Sequence, residues 1–345
     1  MANVIRSTIC GLLVMLSSHG AVAEEAAAPA DEAGVYQLAQ DQHVVGGLQR
    51  VTARHEDTLP DLARLFGLGY DEITRANPGV DPWLPGDRTG VILPTLFIMP
   101  DTPREGLVLN VPGMRLYYFR EADDGLHVFT HPIGIGRLGW STPLGETRIT
   151  AKAKDPSWYV PESIRKEHAA EGDPLPPVVP PGPDNPLGRH VLRLAMPGYL
   201  IHGTNKPWGV GMRVSHGCIR LYPEDIEGLY RMVPRGAPVR IVDQPYLAGW
   251  HEGRLLFTAY QPLEEKGGDW LAALELLDRH LKNPPEGASS ASIDWGRVAR
   301  ITREGMGIAF PVQEDAPDVR QWIASAVLVP DIPVASYQPT VQASP

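Results

Sequence analysis

"GLVLNVPGMRLYYF", Gly106–Phe119, sets two short apolar runs on either side of Pro112-Gly113. Each run is shorter than an ordinary helix and is bounded by residues that break regular structure, so both read as strands. The pattern continues outward. "LHVFTHPIGIG" (126–136), "ETRITAK" (146–152), "HVLRLAM" (190–196), "YLIHGT" (199–204) and "VRIV" (239–242) are alternating or apolar runs bounded by Pro, Gly, Asp and Asn. This series predicts a β-sandwich or barrel over residues 105–243. One helix interrupts it: Pro223-Glu224-Asp225 opens "PEDIEGLYRMV", with proline and acids in the first turn and Arg231 near the end. Residues 154–188 form a long insertion with prolines clustered from Pro174 to Pro186. It reads as unable to pair as a strand, and as either a lid over a site or a surface linker.

The flanks differ from this β-rich centre. Over 44–100, "LQRVTA" reads as a strand, "LPDLARLFG" and "YDEITRANPG" as short helices, and "TGVILPTLFIMP" as a return to strand, giving a small βααβ module. Over 245–345 the chain reads as a helical C-terminal region with a loose tail. "GRLLFTAYQPL" is a candidate strand there, and "DWLAALELLDRHLKN" (269–283) and "SIDWGRVARITRE" are amphipathic helices. Trp270, Leu271, Leu274, Leu277 and Leu281 share one face of the first and are expected to face the core.

The N-terminus reads as a secretory signal over 1–23: Arg6, an apolar run from Thr8 to Leu16, and Ala21-Val22-Ala23 as the cleavage pattern. The run is too short to span a bilayer. Ser7-Thr8-Ile9 before Cys10 does not fit a lipidated cysteine, so no lipid anchor is expected. Residues 24–43, alanine-rich and acidic, read as a flexible N-terminus. The mature protein is expected outside the cytoplasm. A net charge of −10 without a basic tract excludes nucleic acid as a partner.

Cleavage after Ala23 leaves Cys218 as the sole cysteine, in an oxidising compartment where it can form no internal disulfide. It stands in "IHGTNKPWGVGMRVSHGCIRLY" (201–222). A cysteine nucleophile needs a base, a group that orients the base, and donors for an oxyanion. His202, sixteen residues earlier at a strand end, can return to the thiol and lower its pKa from about 8.5. Gly217 permits a tight turn that aims its own amide and that of Cys218 at one oxygen. Arg220, on the same side as the thiol in extended chain, can bind a substrate carboxylate. Competing readings are a buried filler cysteine, and zinc held by His202, His216 and Cys218, for which no compact fourth ligand is visible.

"HGTNKPWGVGMRVSHGCIRL", with "GIGRLGWSTPLGETRI" and its Thr142-Pro143-Leu144-Gly145 element, resembles the L,D-transpeptidase catalytic domain of the YkuD family. That resemblance implies a β-sandwich with Cys218 as nucleophile, His202 as general base and the Gly203 carbonyl orienting the imidazole. It further implies His216 lining the oxyanion region, and Ser215 with Arg220 placing substrate. Trp208 and Tyr159 are candidate pocket walls or packing residues. DTLPDLARLFG, ITRANPG and LPGD resemble a LysM domain, whose relatives bind glycan chains. The whole order resembles the Gram-negative subgroup that attaches Braun's lipoprotein to peptidoglycan. The implied activity is periplasmic transfer of a diaminopimelyl group from peptidoglycan stem peptides to an amine, foremost a lipoprotein's C-terminal lysine, without metal or organic cofactor. The alternatives are 3→3 crosslinking, hydrolysis on the same scaffold, and a non-catalytic glycan-binding wall protein.

Overall fold

The computed structural model describes residues 34–39, 41–263 and 269–330. The signal segment, Cys10, most of the expected flexible N-terminus and the tail beyond residue 330 lie outside the described residues.

The centre of the chain is a nine-stranded sheet, in the order 35–38, 125–132, 115–122, 106–110, 238–242, 145–154, 190–194, 200–202, 219–220. Neighbours are antiparallel except for two parallel pairs, 106–110 with 238–242 and 200–202 with 219–220. Strand Gly145–Lys154 serves both halves. Residues 145–148 pair with 238–241, residues 149–154 pair with 190–194, and the register is irregular between Ile149 and Ala151. A strand that changes partners at a bulge folds one sheet toward a two-layer sandwich. Leu107 and Leu109 from one half and Leu192, Ile201 and Ile219 from the other accordingly belong to a single core. Each such fully buried aliphatic side chain is worth about 1.5–3 kcal/mol over leaving it exposed. Helix Pro223–Met232 closes this core with Ile226 and Leu229. The mainly β expectation therefore holds for the catalytic domain.

Three sequence readings need correction. Residues Val35–Leu38, assigned to the flexible N-terminus, form an edge strand antiparallel to 126–129, with Leu38 buried. The reason is that strand 125–132 offers an unpaired edge to a short alternating run. The insertion does pair: Trp158–Tyr159 meets Val178–Val179, between which lies helix Glu162–Ala170. Buried Asn185 ties the insertion together, its amide donating to the carbonyl of Pro156 at 2.8 Å. The C-terminal region holds a three-stranded sheet (246–251, 254–259, 310–311) as well as helices 270–282, 295–304 and 319–324. Its first helix buries Ala273, Leu276 and Leu277 and leaves Leu271 67% exposed, roughly a quarter turn from the expected face. The small Ala273 sits at the centre of that contact, where a helix can approach a sheet closely.

The module is β-α-α-β as read, with strands 49–52 and 90–93 antiparallel around helices 59–65 and 70–76. Thr58 caps the first helix by accepting from the Asp61 amide at 3.2 Å. The last strand of the described residues, Val327–Leu328, adds parallel to 49–52.

The module is fastened to the catalytic sheet. Arg115, 1% exposed, donates through Nε and Nη2 to the two carboxylate oxygens of Glu72 at 2.7 and 2.8 Å, and Nη2 also donates to the Gly67 carbonyl at 2.9 Å. The amides of Tyr70 and Asp71 donate to the carbonyls of Val210 and Gly211, each at 3.1 Å. Gly211 has φ +80°, and a Cβ on it would stand 2.4 Å from the Tyr70 nitrogen. Only glycine permits that approach. The loop held in this way leads directly into Arg213–Ser215 and the cysteine.

Candidate active site

Parallel pairing of 200–202 with 219–220 sets Ile201 against Ile219 and His202 against Arg220. Ile201 and Ile219 are both fully buried in the core. Side chains alternate along a strand, so His202, Arg220 and Cys218 share the opposite face. Among the described residues the thiol's hydrogen bond runs to the carbonyl of Gly198 at 3.7 Å, not to the imidazole.

Both groups are held toward their neutral forms. His202 is buried, and burial first, then the positive charge of Arg220, pushes its pKa from 6.5 down to about 3, against the pull of the Gly203 and Leu187 carbonyls. The Gly203 carbonyl can only accept, so Nδ1, 2.6 Å away, carries the proton and Nε2 keeps a lone pair. Burial pushes the Cys218 thiol up, opposed by the Leu200 amide and Arg220. This is opposite to the sequence expectation that the imidazole lowers the thiol pKa. Only a charged imidazolium would do so, and the same burial that raises the thiol keeps the imidazole neutral. Among the described residues Arg220 Nε is buried without a hydrogen-bond partner, and the guanidinium acts electrostatically on the thiol.

The turn before the thiol is tightly built. Ser215, read as a substrate contact, is instead buried and donates to the Cys218 carbonyl at 2.5 Å. Thr142 of the TPLG element accepts from the Gly136 amide at 3.0 Å and donates to the Gly217 carbonyl at 3.1 Å. Gly217 has φ +95°, and a Cβ there would meet Tyr199 at 2.9 Å. The sequence marks Thr142 as part of a family element without giving its work; the structure shows it joining two glycine turns.

His216 reaches the insertion. Its Nε2 donates to Glu167 Oε2 at 2.9 Å, and its ring lies edge-on to Trp140 at 4.9 Å. Arg137 donates to the other oxygen of Glu167 and its Nη2 stands 3.1 Å from His216 Nε2. The expectation that His216 lines the oxyanion region is thus replaced by contacts with the insertion. Arg137 and Glu167 went unmarked in the sequence, because contacts at separations of 30, 49 and 79 residues follow no local period. Tyr159 and Trp208 are 73% and 55% exposed, so they are not packing residues. A cavity of about 420 Å³, lined by His43, Asp101, Arg104, Tyr246 and His280 among others, contains none of the site residues.

Among the described residues no cluster of three or more His, Cys, Asp or Glu is placed to hold a metal ion. None of their helices is long and apolar enough to cross a membrane.

The central domain is mainly β and sets a thiol, an imidazole and a guanidinium on one sheet face. Residues 104–241 match the family described as YkuD, L,D-transpeptidase catalytic domain. The chain is 42% identical over 217 residues to the probable L,D-transpeptidase YcfS of Escherichia coli K12, covering 61% of this chain and 67% of that one. It is 42% identical over 233 residues to the probable L,D-transpeptidase YbiS of the same strain, covering 66% and 75%. With the probable L,D-transpeptidase ErfK/SrfK of that strain it shares 36% identity over 275 residues, 79% of this chain and 81% of the relative. The chain belongs to the L,D-transpeptidase family, and its catalytic domain makes it an enzyme.

Proposed function

We propose that the protein is a periplasmic L,D-transpeptidase in which Cys218 takes an acyl group from a peptidoglycan tetrapeptide stem and passes it to an amine, most favourably the C-terminal lysine of Braun's lipoprotein. The observation that carries this reading is the shared face of Cys218 and His202, with Nδ1 committed to Gly203 and Nε2 left as a base. In the first half, the sulfur attacks the diaminopimelate carbonyl as His202 Nε2 takes the thiol proton. The oxyanion is met by the amides of the Gly217–Cys218 turn. Collapse breaks the C–N bond, the leaving D-alanine amine takes the proton from the imidazolium, and a thioester remains. In the second half the acceptor amine attacks the thioester while His202 takes its proton and returns it to sulfur. Arg220, beside the thiol and unpartnered at Nε, steadies negative charge on sulfur. The neutral starting pair makes His202 a general base at the moment of attack rather than the partner of a standing ion pair.

The βααβ module supports a LysM-like role in holding glycan strands, and the N-terminal signal pattern supports export. Carbapenems are expected to acylate Cys218. Mass spectrometry of products after incubation with a tetrapeptide muropeptide and a peptide ending in lysine tests the whole reading. A lysine conjugate is expected. A diaminopimelate dimer alone makes the protein a 3→3 crosslinker, tripeptide alone a hydrolase, and unchanged tetrapeptide with no adduct a wall-binding protein without activity.

A further inference from the structure

Glu167 meets Arg137 through one carboxylate oxygen and His216 through the other. A carboxylate only accepts, so His216 must present Nε2–H to it. That leaves two donors, Arg137 Nη2 and His216 Nε2, 3.1 Å apart and aimed at the same group. Such an approach is unfavourable unless an anion sits between them, so the pair is shaped for a carboxylate. Arg137 Nε is buried with no partner among the described residues, leaving further donor capacity there. The Arg137 amide donates to the Ser215 carbonyl at 2.9 Å, and Gly136 packs so closely on Gly217 that a Cβ would lie 3.0 Å from the Gly217 Cα. The pair is therefore anchored to the turn that carries the thiol. The anion now filling it comes from helix Glu162–Ala170 of the insertion.

We infer that Arg137 and His216 form a subsite for the C-terminal carboxylate of the donor peptide, and that Glu167 is an internal stand-in which the substrate displaces. The inference rests on the donor chemistry proposed above. The leaving residue of the donor carries its carboxylate one residue beyond the attacked carbonyl, and the pair is attached to the turn that carries the sulfur through the Arg137 amide and the Ser215 carbonyl. Arg220 stays with the thiol and reads a different charge. A donor lacking that terminal carboxylate leaves Glu167 in place and the insertion closed.

The test is equilibrium binding, by titration calorimetry, of a tetrapeptide donor and of the same peptide ending in a carboxamide, to protein carrying Cys218→Ala so that nothing reacts. The free acid is expected to bind about tenfold or more tightly than the amide, the value of a charge-assisted hydrogen bond. Glu167→Gln in that background should tighten the acid severalfold and leave the amide unchanged. Arg137→Ala should erase the difference, and Arg137→Lys, which keeps the charge if the alanine variant does not fold, should restore part of it. Equal binding of acid and amide, a difference that survives in Arg137→Ala, or weaker acid binding in Glu167→Gln would each overturn the inference. Product formation by the unmodified protein is read separately. Turnover without discrimination removes this subsite and leaves the transfer reading standing, whereas discrimination without turnover does the reverse.

Discussion

Cys218 and His202 on the sheet, and Glu167 on the insertion, have their pKa values moved for opposite reasons. Burial pushes the thiol up and the imidazole down, both toward neutrality. Hydrogen bonds from Arg137 and His216 hold the Glu167 carboxyl below its ordinary value, toward charge. The first keeps its groups uncharged until a reaction moves a proton; the second is held by ions. Function is expected to depend steeply on the first and to be tuned by the second.

The largest break in that contrast comes from Cys218→Ala. Product should vanish in the mass spectrum while the thermal midpoint stays within a few degrees, because one small side chain is removed; full activity would end the nucleophile assignment. Next, His202→Gln should lower the rate of D-alanine release by about 10²- to 10⁴-fold, the usual value of a general base. A loss of less than tenfold, measured by stopped assay, would place the base elsewhere.

The pH dependence of stability sharpens the comparison further. The folded pKa of His202 is about 3 against an ordinary 6.5, so unfolded chains bind a proton that folded ones refuse as pH falls. Its contribution is fully present above about pH 6.5 and is lost downward toward pH 3, with a slope of at most about 1.4 kcal/mol per pH unit. Denaturation of wild type and His202→Gln between pH 7 and pH 4 should show that slope in their difference, and parallel curves would mean the imidazole is not buried neutral.

Gly217→Ala should cost about 1–3 kcal/mol through its left-handed backbone and the Tyr199 contact, read from chemical denaturation. The smallest effect belongs to the ionic face. Raising salt from 0.05 to 0.5 M should speed hydrogen exchange in helix 162–170, where exposed ion pairs contribute about 0–1 kcal/mol. Exchange around 200–202 should be unmoved.

The strands of the central domain were legible because each is a short run with its own period, and helix 223–232 because its caps are local. Cys218 and His202 were picked out by residue type and spacing, and the pairing of 200–202 with 219–220 sets them on neighbouring segments of one sheet. What escaped depends on distant partners. Val35–Leu38 is a strand only because 125–132 has a free edge. The buried face of helix 270–282 is chosen by the sheet beneath Ala273, not by its largest residues. Glu167 reads as one charge among several on a polar helix until the fold sets it across Arg137. Ser215 and His216 were located by their motif, but neighbours outside it decide what their side chains touch.

The seating of Gly69 against Gly211 changes what kind of attachment the N-terminal module is. A domain on a flexible leash raises the local concentration of its ligand over a range of distances set by linker length. Here the amides of residues 70 and 71 are bonded to the very loop that leads to the cysteine, and Gly69 packs directly on Gly211. The glycan proposed as the module's ligand would accordingly be presented to the sulfur from a seated position, as by a bracket bolted to a tool, and a single added methyl at residue 211 would press on that seat.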